Sequence, residues 1–206
     1  MTLKLFIGPI RSCSLASHLA LEEAGARYET VRVDFSKNEQ RSSEYSKVNP
    51  KGRVPALATD HGVITENPAI LFFIAQTHPQ ANLAPLNNPF ALAKMQDFNS
   101  YLCSTVHPHH AHGFRGARWS DDPKVIEALK IKVPQNMADC FRLIENDYFV
   151  GPWLIGNQFT VSDCYLYTIA TWLKDDGVDI NSFPKVKDHF NRMAARPAVQ
   201  RVIRSY

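Results

Sequence analysis

The sequence predicts an α/β domain followed by an all-helical domain, and three observations lead to this prediction. Short apolar runs of strand length alternate with runs of helical periodicity over the first eighty residues. After residue 89 no strand pattern appears, and five segments with helical spacing follow one another. Between the two halves, residues 78–89 contain three prolines, which is typical of a linker. We therefore expect one domain at residues 1–80 and a second at residues 90–206.

Local signals in the first half give the element order β-α-β-α-β-β-α. Gly25 ends the first helix, and Asn67 is the expected N-cap of the last, with Pro68 at its first helical position. The strands are predicted at residues 3–7, 28–33, 54–59 and 63–65. The two clear helices are predicted at residues 13–24 and 67–77, with a short one in the polar stretch 36–47.

The second half reads as helices throughout. Pro108 is expected to kink the first of them, because proline has no N–H and its ring collides with the preceding turn. Thr160 and Asp163 form a capping box, which accounts for Asp163 as a structural rather than a catalytic carboxylate. The helices are predicted at residues 90–119, 123–146, 161–174, 184–195 and 197–204.

The composition is that of an ordinary globular protein. The 206 residues include 23 lysines and arginines against 20 acidic residues, a net charge of +3, and 45% of them are hydrophobic. No basic run or zinc-finger spacing points to nucleic acid. The longest nearly uncharged apolar stretch, residues 67–77, is far shorter than a membrane span of roughly 20 residues, and the N-terminus lacks a signal peptide's apolar core. We expect a cytoplasmic protein that binds neither nucleic acid nor a membrane.

Cys13, at the start of the first helix, is the strongest candidate for thiol chemistry. Unpaired backbone N–H groups and the helix dipole favour a thiolate there, which predicts a lowered pKa and the most reactive thiol of the chain. The alternative is an ordinary helix-start cysteine flanked by capping serines. The remaining cysteines form no C-x-x-C pair and are expected to be free core thiols: Cys103, Cys140 and Cys164.

Two further segments are suited to hold a peptide-like ligand. Pro55 opens a strand after a polar loop, so the Val54-Pro55 bond is a candidate cis peptide that would turn the Val54 N–H and C=O toward an extended ligand. Glu66 and Asn67 combine a carboxylate with a helix N-terminus. A ligand bearing an ammonium and a carboxylate would meet both, and helix capping alone is the alternative.

Four histidines lie within six residues, at His107, His109, His110 and His112. A metal site is one interpretation, but Pro108 interrupts the helix and no carboxylate or thiol stands beside the cluster. One neutral imidazole near a thiol requires less coincidence, so we expect no metal and a functional role for His107.

These motifs together resemble the glutathione transferases, and most closely their bacterial beta class. The resemblance covers nearly the whole chain and implies a thioredoxin-like N-terminal domain followed by an all-α domain, in a cytoplasmic homodimer that uses glutathione as co-substrate. Ile7 and Pro108 depart from the pattern of the class. The matching motifs are S-C-S at residues 12–14, N-P-K-G-R-V-P at 49–55, T-E-N-P at 65–68, V-H at 106–107, F-T-V-S-D at 159–163 and R-P at 196–197.

The resemblance assigns roles residue by residue. Cys13 would lie beside the glutathione sulfur, with His107 near it, as the two catalytic residues. Val54, ahead of cis Pro55, would pair with the cysteinyl backbone, and Glu66 with Asn67 would hold the γ-glutamyl end. The other expected glutathione contacts are Lys37, Ser104 and Thr105. The expected contacts to a hydrophobic electrophile are Ile10, Arg11, Phe114, Trp119 and Trp172, a mixture that suggests a planar, anionic compound.

Three functions follow as hypotheses. The first is a transferase that activates the glutathione thiol for attack on a hydrophobic electrophile. The second is a thiol-disulfide reductase or glutathione lyase that links Cys13 covalently to glutathione. The third is a protein that binds glutathione or apolar ligands without catalysis.

Overall fold

The computed structural model describes residues 3–206 and begins with a four-stranded mixed sheet. The strand order is β2-β1-β3-β4, with β1 and β2 parallel and the other pairs antiparallel. Leu5 and Leu57 are paired across β1 and β3 and are both fully buried, so the central strands carry the core of this half. The strands are β1 (Leu3–Ile7), β2 (Tyr28–Arg32), β3 (Ala56–Thr59) and β4 (Gly62–Thr65).

The third strand begins two residues later than predicted. Pro55 has no N–H to donate to the sheet, so the hydrogen-bonded ladder begins at Ala56. The predicted cis bond between Val54 and Pro55 is confirmed. Val54 is thereby left outside the ladder, at the edge of the first domain.

Nine α-helices are described, three in the first half and six in the second. Helices α1 and α3 pack against each other beside the sheet, and α1 also packs on α7 of the second half. Every residue of α7 is buried, so this helix forms the centre of the molecule. The helices are α1 (Ser14–Glu23), α2 (Ser43–Val48), α3 (Asn67–Thr77), α4 (Pro89–Tyr101), α5 (His107–Arg115), α6 (Pro123–Leu143), α7 (Val161–Ala170), α8 (Pro184–Ala194) and α9 (Pro197–Arg204).

The long helix predicted at residues 90–119 is divided. A π-helical turn, Leu102–Val106, separates α4 from α5 immediately before Pro108. Because Pro108 cannot bond to the carbonyl four residues earlier, a wider turn accommodates its ring. This turn sets the direction in which His107 and the rest of α5 face the first half of the chain.

The proline-rich segment between the halves is packed rather than free. Leu83 and Ala84 are buried, and the Leu83 carbonyl accepts a hydrogen bond of 2.9 Å from the Val161 N–H. The segment that connects the two halves therefore covers the N-terminus of α7.

The predicted capping box of α7 is confirmed. Asp163 accepts a hydrogen bond of 2.7 Å from the Thr160 N–H and one of 3.2 Å from the Leu154 N–H. His189 Nε2 lies 3.0 Å from the same fully buried carboxylate. Asp163 thus joins α7 to α8 and to the loop that precedes α7, as a structural carboxylate.

Within residues 3–206, no helix combines the length and the apolar character that crossing a bilayer would require.

Candidate active site

A cleft of about 560 Å³ runs between the two halves of the chain and continues into an inner cavity of about 140 Å³. We call the larger space the outer cleft and the smaller one the inner cavity. Glu66 and Asn67 line only the inner cavity, and Trp172 and Phe114 line only the outer cleft. The residues that line both are Cys13, Arg53, Val54, His107, Ala111 and Arg118.

Cys13 lies where the two spaces meet, at the N-cap of α1. Its thiol donates a hydrogen bond of 3.3 Å to the Val54 carbonyl. Burial raises the pKa of the Cys13 thiol to about 12, and the negative charge of Glu66 adds to the rise. The positive charges of Arg53 and Arg118 lower the pKa but do not offset burial. The predicted lowered pKa is therefore wrong, since the sequence shows the helix N-terminus but not the burial of the thiol.

The loop before Pro55 is held rigidly. The Asn49 amide and the Tyr45 hydroxyl donate hydrogen bonds of 2.6 and 2.7 Å to the Arg53 carbonyl. Gly52 has a φ of +62°, and a Cβ there would lie 2.8 Å from the Gln40 carbonyl oxygen, so the turn requires glycine. The Val54 N–H has no hydrogen-bond partner among the described residues, so it is available to a ligand in the cleft.

Glu66 is held in an unusual backbone conformation, with a φ of +73° just before α3. Such conformations are uncommon outside glycine and are often found at functional sites. The Glu66 side chain is 60% exposed, and its carboxylate accepts a hydrogen bond of 2.6 Å from Lys51 Nζ. Lys51 is thus a neighbour of this site that the sequence interpretation missed.

Asn67 does not cap α3, contrary to the prediction, because it is the first residue of the helix and its side chain turns toward α1. Its amide donates a hydrogen bond of 2.8 Å to the Cys13 carbonyl and accepts one of 2.6 Å from the Ser17 hydroxyl. The side chain therefore fastens α3 to the N-terminus of α1. It fixes the position of Cys13 relative to Glu66.

His107 is the one histidine of the cluster that lines both spaces. Burial lowers its pKa to about 4, and the neighbouring His110, Arg118 and Arg53 lower it further. The imidazole is consequently neutral near pH 7 and offers one donor and one acceptor nitrogen. This agrees with the expectation that His107 is a neutral imidazole.

His110 has a different partner, which the sequence interpretation missed. Its Nδ1 lies 2.8 Å from the buried carboxylate of Asp176, and its ring stacks on Trp172 with centroids 4.1 Å apart. The indole N–H of Trp172 donates a hydrogen bond of 2.9 Å to the Arg11 carbonyl. His110 and Trp172 thus form one wall of the outer cleft, and buried Asp176 holds His110 in place.

The other two histidines of the cluster point elsewhere. His109 contacts Asn136 on α6, and His112 meets the edge of the Trp119 ring. Within residues 3–206, no three histidine, cysteine or acidic side chains are grouped so as to hold a metal ion.

The remaining predicted contacts divide into two groups. Arg11 and Phe114 line the outer cleft, and Trp119 lines the inner cavity. Arg11 is neutralised by an ion pair with Asp175. Cys103, not predicted, also lines the inner cavity. The residues that line neither space are Ile10, Lys37, Ser104 and Thr105, and Lys37 is instead exposed and paired with Asp34.

The cleft is rich in arginine, which no motif in the sequence indicated. Only Arg53 stands inside a recognisable motif, between Gly52 and Val54. The others are isolated in sequence and are brought together by folding. The arginines that line the outer cleft are Arg11, Arg41, Arg53, Arg115 and Arg118.

Comparison with known proteins agrees with this architecture. Residues 1–76 match the family model of the glutathione S-transferase N-terminal domain, and residues 119–197 match that of the C-terminal domain. The chain is 31% identical to glutathione S-transferase GstA of Escherichia coli O157:H7, over 96% of both chains.

Two solved structures are similar over nearly the whole chain. One is a glutathione transferase homologue from Sulfitobacter with bound glutathione, with a TM-score of 0.96 and 39% identity over 99% of this chain and 98% of that one. The other is a bacterial beta class glutathione S-transferase from Sphingomonas chungbukensis, with a TM-score of 0.84 and 30% identity over 98% of both chains. The chain therefore belongs to the glutathione S-transferase family and has its fold, a thioredoxin-like domain followed by a helical one.

Proposed function

We propose that the inner cavity and the adjoining part of the outer cleft bind glutathione. We also propose that the chain joins the glutathione sulfur to an electrophile in the rest of the outer cleft. One observation carries this proposal. Among the described residues the Val54 N–H has no partner, the Val54 carbonyl accepts a hydrogen bond of 3.3 Å from the Cys13 thiol, and both residues line the space between the two domains. An extended peptide with a central cysteine can pair with Val54 as an added strand would, with its sulfur beside Cys13.

The charged ends of glutathione find complementary groups on either side of Val54. In the inner cavity, the Glu66 carboxylate accepts hydrogen bonds from the γ-glutamyl ammonium, and N–H groups at the start of α3 donate hydrogen bonds to the γ-glutamyl carboxylate. On the opposite side, Arg41 and Arg53 are placed to receive the glycyl carboxylate. They take the role predicted for Lys37, which is paired with Asp34 outside the cleft. Contacts from Ser104 and Thr105, which line neither space, stay a prediction.

The chemistry that this arrangement supports is deprotonation of the glutathione thiol and transfer of the glutathionyl group to an electrophile. The thiol releases its proton, its sulfur forms a bond to the electrophilic atom, and the leaving group departs with its bonding electrons. The N-terminus of α1 and the guanidinium group of Arg53 stabilise the thiolate by their positive charge. The proton passes to water, because the lowered pKa makes His107 a weak base, and the neutral imidazole can donate a hydrogen bond to the thiolate.

The covalent alternative requires a Cys13 thiolate that attacks a disulfide, or a disulfide at Cys13 that another thiolate attacks. Its raised pKa disfavours attack by Cys13 in the free protein. We therefore infer that Cys13 assists the bound glutathione sulfur without forming a covalent bond to it. A binding protein without catalysis is the third reading, and it would bind glutathione tightly yet convert none of a panel of electrophiles.

Calorimetric titration with reduced glutathione tests the proposed binding mode. Glu66→Gln removes the carboxylate proposed for the ammonium, and we expect the affinity to fall about tenfold or more. Glu44→Gln is the matched control, since Glu44 is also exposed and paired with a lysine but lies on α2 away from the cleft. It should change the affinity by less than about twofold. Equal affinities of Glu66→Gln and the unaltered chain would contradict the proposal.

We also propose that the functional units are residues 1–80 and 90–206, and that two chains of 23.3 kDa assemble as a homodimer in the cytoplasm. The resemblance to the family supports the dimer, and the four free cysteines support a reducing compartment. Light scattering of the purified chain measures its mass. A monomeric mass at micromolar concentration would contradict the dimer.

A further inference from the structure

The outer cleft carries more positive charge than glutathione needs. One of its five arginines, Arg11, is neutralised by Asp175. The other four are exposed and form no ion pair with a described carboxylate, and their guanidinium groups make no hydrogen bond with a described residue. These four are Arg41, Arg53, Arg115 and Arg118.

The four free guanidinium groups act on one another. The pKa of Arg118 lies below its usual range because the group is partly desolvated and because Arg53, Arg115 and Arg41 are close enough to repel its charge. Like charges gathered at a cleft attract and concentrate anions. A bound anion would relieve this repulsion, so the grouping favours a negatively charged ligand.

The four arginines come from two sides of the cleft. Arg41 and Arg53 lie beside Val54 on the first domain, where the proposed glycyl carboxylate ends. Arg115 closes α5 and Arg118 follows it on the second domain, and the proposed binding mode assigns neither of them to a glutathione carboxylate.

An apolar surface lies next to the second pair. Phe114 is 60% exposed and lines the outer cleft, with its ring centroid 5.5 Å from that of His110. His110 in turn stacks on Trp172, so the apolar wall continues to the floor of the cleft. A ligand placed here meets a flat aromatic surface at one end and two guanidinium groups at the other.

We propose that the electrophile is an aromatic carboxylate, with its carboxylate bound by Arg115 and Arg118 and its ring on Phe114. This inference rests on the proposed function, because it assigns the second substrate of the same cleft. Guanidinium groups suit this task, since their planar donors match a carboxylate in a bidentate pair. Arg11, the cation that the sequence suggested, is excluded from the role by its pairing with Asp175.

A matched pair of glutathione conjugates tests the proposal without requiring turnover. One is formed from para-chloro-meta-nitrobenzoate and the other from the corresponding benzamide. In both reactions the carbon–sulfur bond forms, chloride leaves with the bonding electrons of the carbon–chlorine bond, and the thiol proton is released. The two products have nearly the same shape and differ by one negative charge.

Calorimetric titration should show that the unaltered chain binds the carboxylate conjugate about tenfold or more tightly than the amide. Arg115 lines only the outer cleft, so Arg115→Gln should reduce this preference to less than about threefold, and Arg115→Gln with Arg118→Gln should abolish it. Affinity for glutathione alone should stay within about twofold in Arg115→Gln. Arg204→Gln is the control, because Arg204 is an exposed arginine outside the cleft and its loss changes the net charge equally.

The outcomes separate this inference from the proposed function. Normal binding of glutathione together with equal affinities for the two conjugates would overturn the inference and leave the proposed function standing. A preference that survives loss of Arg115 and Arg118 would overturn the assignment of these residues. Failure of the unaltered chain to bind glutathione would overturn both.

Discussion

The protonation state of Cys13 separates the candidate mechanisms, and alkylation of the free protein measures it. Burial raises the thiol pKa from 9.0 to about 12. Three pKa units correspond to about 4 kcal/mol in favour of the neutral thiol, and to roughly a thousandfold less thiolate at about pH 8. Since the thiolate is the form that reacts with iodoacetamide, we expect slow labelling of Cys13 in the folded chain.

The same thiol in the urea-unfolded chain is the reference, because its neighbours in sequence are identical. Rates are followed by peptide mass mapping across a range of about pH 6 to 10, and we expect labelling at least about 100-fold slower in the folded chain at about pH 8. Fast labelling of Cys13 with an inflection below about pH 8 would refute the conclusion that burial outweighs the helix N-terminus.

Substitution of Cys13 extends the test to activity. If a protonated Cys13 assists the bound glutathione sulfur, Cys13→Ser should keep conjugation activity within about threefold, because a hydroxyl is also a donor. Cys13→Ala should cost about tenfold through the lost hydrogen bond. A covalent cycle would instead lose all thiol-disulfide or lyase activity in both variants.

Other measurements test the structural network around the cleft. Asp163→Ala should destabilise the fold by about 3–5 kcal/mol in denaturant unfolding, because it breaks a buried hydrogen-bonded pair. His110→Ala should lower stability by about 1–3 kcal/mol, since the buried Asp176 loses its partner. His112→Ala, on the same helix, should change it by less than about 0.5 kcal/mol; equal losses from the two would contradict this account. Burial lowers the pKa of His18 to about 4. About 3 kcal/mol of folding stability, present above about pH 6.5 where His18 is neutral, is therefore lost as the pH falls through 4. His18→Gln should flatten that part of the plot of unfolding free energy against pH.

Features that depend on neighbours along the chain could be predicted from the sequence. The capping box at Thr160 and the cis bond before Pro55 were predicted from short motifs, and both are confirmed. The first strand, Leu3–Ile7, and the last helix, Pro197–Arg204, have their predicted bounds. In each case the chemistry that defines the feature lies within a few residues of it.

Features that depend on partners far away along the chain could not be predicted from the sequence. His110 meets Asp176 from 66 positions away, and Trp172 meets Arg11 from 161. No local pattern marks such pairs, so the sequence motifs singled out His107 and assigned His110 no partner. For the same reason Arg118, isolated in the sequence, gave no sign of its place in the cleft.

The wrong prediction for Cys13 shows how local sequence and distant packing partners combine at the site. A helix N-terminus favours negative charge, but the group that ionises there is the one whose charged form has the lower free-energy cost. Cys13 is desolvated, whereas a ligand sulfur bound in the outer cleft would share that space with Arg53 and with solvent. The protonated thiol, now donating to the Val54 carbonyl, can then turn to donate to a ligand thiolate. The burial that makes Cys13 a poor nucleophile thus suits it to stabilise the charge on another sulfur, which is why Cys13→Ser is expected to retain conjugation.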